Sequence, residues 1–427
     1  MDSTPLLSAL LELTTAALLA RRRLPGATYR LQFNAGFTFR DAAALVDYLH
    51  DLGITDAYAS PYLKARPGSL HGYDVTDHRQ LNPEIGTEED YRAWTAALHA
   101  RGMGQLLDVV PNHAGIIGNE NVWWNDVLEN GPASPYAGYF DIDWHSHKPD
   151  LNNKVLLPFL GDPYGKALES LQFRLTFEGG AFYVHYFDHR FPVAPCTYGQ
   201  ILDHGLDELG EELGQESEPF VELQSIRTAI AHLPPFSETD PARKAERQRE
   251  KEVIKRRLAA LTQGSPAVMA FVERNVALFN GHDGDPHSFD RLDQLLNSQP
   301  YRLSSWRVAS DEINYRRFFD VNELAALSME KPEVFEATHE LILRLLREGH
   351  VNGLRIDHPD GLFDPRQYLE RLQQRYVLEI ARQIVETDPT FLEADHQELE
   401  KSLAEALRPN GWPLLPLSPG RSGVGGE

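Results

Sequence analysis

Gly353-Leu354-Arg355-Ile356-Asp357-His358 decides how this chain is read. It has the pattern of a short buried strand that ends in charge. Gln105-Leu106-Leu107-Asp108-Val109-Val110 has the same form and runs into Pro111-Asn112-His113. Two apolar strands therefore deliver polar groups at their C-terminal ends, where a parallel α/β barrel gathers its functional groups. Arg355 and Asp357 stand two apart, so both project from one side of a strand. Asp357 is a candidate nucleophile and Arg355 its partner. A buried ion pair is the competing reading of Arg-x-Asp. Asp108, Asn112 and His113 tilt the balance, because a polar cluster at the neighbouring strand's end suits a binding site better than a sealed pair.

Upstream of these strands, residues 28–33 alternate as a strand and 39–52 read as helical. Residues 54–59 form a second short strand, followed by a long loop over 60–86. Thr87 and Asp90 make a capping box for a helix that reaches about Ala100 and stops at Gly102. Strand and helix thus alternate at short spacing, which predicts βα units and a parallel sheet. The alternation then breaks. Residues 114–200 are rich in aromatics, Gly and Pro and read as an inserted lobe, with a strand-like run at 181–185. Residues 201–350 read as a largely helical insertion. Within it, 241–261 is charged nearly all round and reads as a solvated helix. Helices follow at 332–347, 365–386 and 395–407. The expected organisation is 1–113 for the first three strands, 114–200 and 201–350 for the insertions, 351–412 for strand four and its helices, and 413–427 as a disordered tail. Pro and Gly fill that tail too densely for a central strand or a helix.

The net charge is −22, from 63 acidic and 41 basic residues. A nucleic-acid binder needs a basic face, so no nucleic-acid partner is expected. A neutral ligand suits this charge. Cys196 is the single cysteine, which excludes an internal disulfide and makes a reducing cytoplasm the simplest setting. It sits in a Pro-rich loop with no evident activating base. Residues 6–20 are apolar, but Glu12 interrupts them and Arg21-Arg22-Arg23 follows. A secretory signal puts its positive charge first, so an amphipathic leading helix is expected. No later run reaches the ~20 apolar residues that span a bilayer, and no membrane partner is expected.

Breaking a glycosidic bond takes two carboxylates. One attacks the anomeric carbon and the other protonates the departing oxygen. An arginine beside the first keeps it ionised and points it. Here the chain resembles the α-amylase superfamily of glycoside hydrolases. Asp108-Val-Val-Pro-Asn112-His113 is similar to that family's first conserved region, and Gly353-Leu-Arg355-Ile-Asp357-His358 to its second. Within the superfamily the closer resemblance is to the maltooligosyl trehalose synthase family. It is carried by Ala27-Thr-Tyr-Arg-Leu-Gln-Phe33, Ala59-Ser-Pro-Tyr62, Gly68-Ser-Leu-His-Gly-Tyr-Asp74, Tyr139-Phe-Asp-Ile-Asp-Trp144 and Ile313-Asn-Tyr-Arg-Arg-Phe-Phe-Asp-Val-Asn-Glu-Leu324. Arg355-Ile-Asp-His-Pro-Asp-Gly-Leu362 belongs with them, and the similarity covers about 27–370.

The resemblance implies a (β/α)8 TIM barrel and an intramolecular transglucosylation. In that reaction the reducing-end α-1,4 linkage of a maltooligosaccharide becomes α,α-1,1. No cofactor or metal is implied. Asp357 matches the nucleophile and Arg355 the arginine that positions it. His113 matches the histidine contacting the sugar at the cleavage point, and Tyr73 the aromatic platform beneath that sugar. Asp108 and Asn112 match polar residues under the site, and His358 is assigned to the acceptor side. Each has a plainer alternative. Tyr73 could be ordinary loop packing. His71, His78 and His113 fit no familiar metal-ligand spacing. Trp123-Trp124 could stack on sugar, with core packing favoured. Asp320-Val-Asn-Glu323 could bind substrate or cap a helix, and the sequence leaves both open.

The pattern breaks after residue 370. The family's general acid/base is a glutamate at the end of strand five. Its expected place is near Trp412-Pro-Leu-Leu415, where the Pro- and Gly-rich tail begins. Glu393 lies in a segment that leads straight into a helix, and Glu427 is terminal. The expectation is therefore a truncated synthase with about four of eight barrel strands, a long insertion after strand three and impaired turnover. The alternatives are an inactive glucan-binding fragment and an amylase-like hydrolase.

Overall fold

The computed structural model describes residues 4–391 and 395–407. Glu393, the turn at 408–411 and the tail at 413–427 lie outside the described residues. The chain divides into two compact units, one of residues 1–62, 79–109 and 335–427, the other of 63–78 and 110–334. Residues 114–200 and most of 201–350 thus fall in the second unit.

The first unit is built on a parallel four-stranded sheet. Its strands are β1 (Thr28–Leu31), β2 (Asp56–Ala59), β3 (Gly104–Val109) and β4 (Gly353–Ile356), in that spatial order. The register pairs Arg30 with Tyr58, Tyr58 with Leu106 and Arg355 with Asp108. The two central strands are mostly buried, while β1 and β4 at the edges are largely exposed or half-buried. Between β1 and β2 the helical stretch is two short helices, Phe39–Ala44 and Val46–Asp51, rather than one. The helix Glu88–Ala100 precedes β3, and its Thr87–Asp90 capping box is formed in both directions. The helix face carrying Tyr91, Trp94 and Leu98 is buried, and Phe33, Phe39, Tyr62, Tyr91 and Trp94 interlock edge to face and stacked. Gly104 has to be glycine. A Cβ there would collide with the Asp56 carboxylate and the Arg23 guanidinium, which pair at 2.5 Å. A second apolar cluster joins the helix Thr4–Arg21 to Pro365–Thr387 and His396–Ala406 through Leu10, Val385, Phe391, Leu399 and Leu403.

The second unit holds an antiparallel sheet of Phe173–Glu178, Ala181–Tyr186 and His189–Pro192. It also has a parallel pair, Val155–Leu160 with Tyr301–Ser305. Helices Glu218–His232, Pro241–Gly264 and Pro266–Asn280 follow one another in the chain. The expectation of a fully solvated helix at 241–261 is corrected here. Arg247, Lys251, Ile254, Leu258 and Thr262 form a buried stripe at helical spacing. Two of its five positions are cationic, so a reading based on apolar period does not find it. Lys251 Nζ reaches Asp126 Oδ2 and Glu129 Oε2, each at 2.7 Å, and Lys255 also pairs with Glu129. Burial works against charge on these carboxyls. The Lys251 ammonium still holds Asp126 below its usual value, and Lys255 with Lys251 does the same for Glu129. Trp123 and Trp124 are core residues, and the Trp123 ring stacks on His78 at 5.7 Å. Among the described residues no helix is long and apolar enough to cross a membrane.

Candidate active site

The C-terminal ends of β1 to β4 collect a polar constellation in the first unit. Asp108, at the end of β3, is fully buried and accepts from Arg355, Tyr58 and Arg30. Arg355 Nη1 donates to its Oδ1 at 2.9 Å, Tyr58 Oη to its Oδ2 at 2.8 Å, and Arg30 Nη1 to the same oxygen at 3.3 Å. The Arg30 guanidinium lies over the Tyr58 ring, 4.8 Å from its centroid. Arg355 Nη1 also donates to Asp357 Oδ1 at 2.5 Å. Asp357 is held by its own backbone N–H, which donates to the Val109 carbonyl at 2.8 Å.

Two carboxylates therefore face two guanidinium groups. Buried charge is tolerated when it is paired and hydrogen-bonded. Burial disfavours the charged Arg355, yet its bonds to Asp108 and Asp357 raise its pKa further above the usual arginine value. Burial also lifts the Tyr58 phenol above its usual value, and the bond to Asp108 adds to this, so Tyr58 stays protonated and donates. Exposure decides between a sealed ion pair and an open site. The Asp108 side chain is 0% exposed, whereas Arg355 is 47% and Asp357 15% exposed. The cluster is sealed at Asp108 and exposed at Arg355, with Asp357 partly exposed beside it.

His358 follows directly, with a left-handed φ of +46°. That conformation costs a residue with a side chain about 1–3 kcal/mol and persists where the surroundings enforce it. Here the 3-10 turn Pro359–Gly361 begins, and Gly361 N–H donates to the His358 carbonyl at 3.1 Å. The His358 ring pairs with Asp360 at 3.2 Å.

Tyr73, Asn112 and His113 belong to the second unit. Tyr73 is half-buried, and its backbone N–H donates to His71 Nδ1 at 3.0 Å. The loop around it is tied by Asp74, which accepts from Ser69 Oγ at 2.5 Å. Asn112 is buried, accepts from Arg316 Nη1 at 3.0 Å, and receives the Leu327 N–H on its carbonyl. His113 starts the short strand His113–Gly115, which pairs antiparallel with Leu324–Ala326, and its ring packs on Phe318 at 4.5 Å. Glu323 pairs with Arg66 at 3.0 Å. Among the described residues no group of three His, Cys, Asp or Glu side chains could hold a metal ion.

Sequence reasoning left Arg30 and Tyr58 unassigned. Arg30 lies inside one of the family blocks named above, which marked its segment though not its partner; Tyr58 lies outside them, and its half-burial on an otherwise buried strand is visible only in the structure.

A family model described as the α-amylase catalytic domain matches residues 42–193. A putative maltooligosyl trehalose synthase of Mycobacterium tuberculosis is 33% identical over 353 residues, covering 81% of this chain and 32% of that protein. The solved maltooligosyltrehalose synthase of Arthrobacter ramosus is similar at 34% identity and a TM-score of 0.55, over 83% of this chain and 34% of that one. A hypothetical maltooligosyl trehalose synthase of Sulfolobus tokodaii aligns at 30% identity and a TM-score of 0.52, again over 83% and 34%. The chain spans about a third of the length of the relatives it matches.

Proposed function

Because this chain belongs to the α-amylase superfamily of glycoside hydrolases, we propose that its parallel sheet is a sector of a (β/α)8 barrel carrying the nucleophile of a trehalose-forming transglucosylase. The observation that carries the reading is the Asp108–Arg355–Asp357 cluster at the strand ends, sealed at Asp108 and partly exposed at Asp357.

On this reading Asp357 attacks the anomeric carbon at the reducing-end α-1,4 linkage of a maltooligosaccharide. The bond from that carbon to the glycosidic oxygen breaks as the bond to Asp357 forms. The freed glucose turns, and its anomeric hydroxyl attacks the same carbon, releasing Asp357 and leaving an α,α-1,1 linkage. Arg355 fixes the carboxylate's direction, and Asp108, Tyr58 and Arg30 fix Arg355 from below. Tyr73, Asn112, His113 and His358 take their sugar-contact roles from sequence resemblance. A retaining mechanism also needs a proton donor for the leaving oxygen. The reading places that donor on a further strand, and turnover without it falls by about 10²–10⁴-fold.

The nucleophile can be tested apart from the acid. A 5-fluoro maltosyl fluoride loses fluoride without needing a proton. The Asp357 oxygen bonds to the anomeric carbon as the carbon–fluorine bond breaks. Intact mass should rise by one glycosyl unit, with peptide mapping placing it on Asp357. The Asp357→Asn variant should remain unlabelled and keep its circular dichroism. A label elsewhere, or none on a folded wild-type chain, removes Asp357 from the role. Maltohexaose then reports the reaction class. A non-reducing product supports transglucosylation, rising reducing ends indicate hydrolysis, and binding without change indicates a glucan-binding protein.

A further inference from the structure

Beside the parallel strand pair Val155–Leu160 and Tyr301–Ser305 in the second unit lies a cavity of about 90 Å³. Lys154, Tyr164, Asn297, Tyr301, Arg302 and Ser304 contribute to its lining. The space exceeds what one water needs, and polar groups dominate the wall.

Its chemistry is that of a donor-lined box. Tyr301 is 1% exposed, and its hydroxyl has no hydrogen-bond partner among the described residues. Burial lifts that phenol well above its usual value, so it keeps its proton. Buried hydroxyls are ordinarily satisfied, and one that is not calls for a missing partner. Lys154 brings an ammonium whose proton affinity is lowered, first by burial and then by the neighbouring Arg302. Its Nζ donates to the Asn297 carbonyl. Lys154, Arg302 and the buried Tyr301 thus line one cavity. Of the nearby carboxylates, Asp150 pairs with Arg302 at 3.1 Å and offsets part of its effect on Lys154, and Asp293 accepts from Tyr164 Oη at 2.8 Å. An oxyanion in this cavity would meet two cationic side chains of its lining and supply the acceptor that the Tyr301 hydroxyl lacks.

We propose that this cavity binds a phosphate group, either as the free anion or as the terminal group of a small phosphorylated sugar. The site shares no residue with the Asp357 cluster and does not rest on the transglucosylase reading.

Calorimetric titration of the full chain with inorganic phosphate, and separately with glucose 6-phosphate, tests it. Inorganic phosphate should saturate one site with a Kd below about 1 mM. Arg302→Gln should weaken it about tenfold or more. Tyr301→Phe should weaken it too, with the melting temperature in phosphate-free buffer unchanged. Equal binding of both ligands identifies a phosphate group recognised through an open mouth. Binding of inorganic phosphate alone identifies a site for the free anion. No saturable heat with either ligand up to about 10 mM overturns the proposal. So does unaltered affinity in Arg302→Gln, a half-exposed position whose replacement leaves the fold intact even where Tyr301→Phe does not.

Discussion

Nη1 of Arg355 bonds to two carboxylates at once, Asp108 at 2.9 Å and Asp357 at 2.5 Å. An ammonium can also bridge two carboxylates, as Lys251 does, but a lysine Nζ ends one bond short of the Nη1 position and has no planar group to hold its direction. Arg355→Lys therefore keeps the charge and loses the geometry. With the 5-fluoro fluoride, its labelling rate should fall about 100-fold, the scale on which misplacement of a reacting group acts. The melting temperature should change little, since Arg355 is half-exposed. Tyr58→Phe removes a donor from a fully buried carboxylate. That change should destabilise the first unit by about 1–3 kcal/mol, measured by urea unfolding, because an acceptor is left short of a donor. A rate unaffected by Arg355→Lys would leave Arg355 as a structural cation only.

At the scale of elements, Lys251 makes the clearest case. The helix Pro241–Gly264 is anchored to Val122–Asn130 through Lys251 with Asp126 and Glu129. Replacing it with Met leaves two carboxylates buried without this partner. The expected loss is about 3–5 kcal/mol in denaturant unfolding. The pH dependence has a definite sign. Asp126 and Glu129 are held below their usual values, so their contribution is complete above the unfolded carboxyl pKa and vanishes as pH falls through the lower folded values. Lys251 is held above its usual value, so its contribution is complete below the unfolded lysine pKa and is lost as pH rises through the higher folded value. Wild-type stability should therefore drop as pH falls below about 5 and on through the lowered folded values, and Lys251→Met should flatten that limb. An unchanged acid limb would remove the cluster as its cause. The same helix marks the limit of reading from sequence. The four sheet strands were legible because apolar runs ended in polar groups at short spacing, and the Arg355–Asp357 pairing because the residues lie two apart. The buried stripe of Pro241–Gly264 was hidden by its own cations. The pairing of Val155–Leu160 with Tyr301–Ser305 was hidden by Pro158 and by its distant partner. The bonds from Arg30 and Tyr58 to Asp108 depend on strand neighbours that no local pattern specifies.

Over the whole molecule two forces compete. In the parallel sheet, β1 and β4 each pair on one side only among the described residues. Tyr29 on β1 is 46% exposed. Open strand edges template pairing with another chain. Against this stands a net charge of −22, which makes copies of the chain repel. Repulsion between exposed charges is screened beyond about 10 Å at 0.1 M salt and about 3 Å at 1 M, whereas backbone pairing is not. The 427-residue chain should therefore sediment as a monomer at low salt and associate progressively as salt rises, at micromolar and higher concentrations. Tyr29→Lys places a charge on the β1 edge and should shift the onset to higher protein concentration. Association that weakens with salt would point to charge pairing between copies. A monomer at every salt concentration would mean that both edges are covered, and the sheet would then be closed rather than open at β1 and β4.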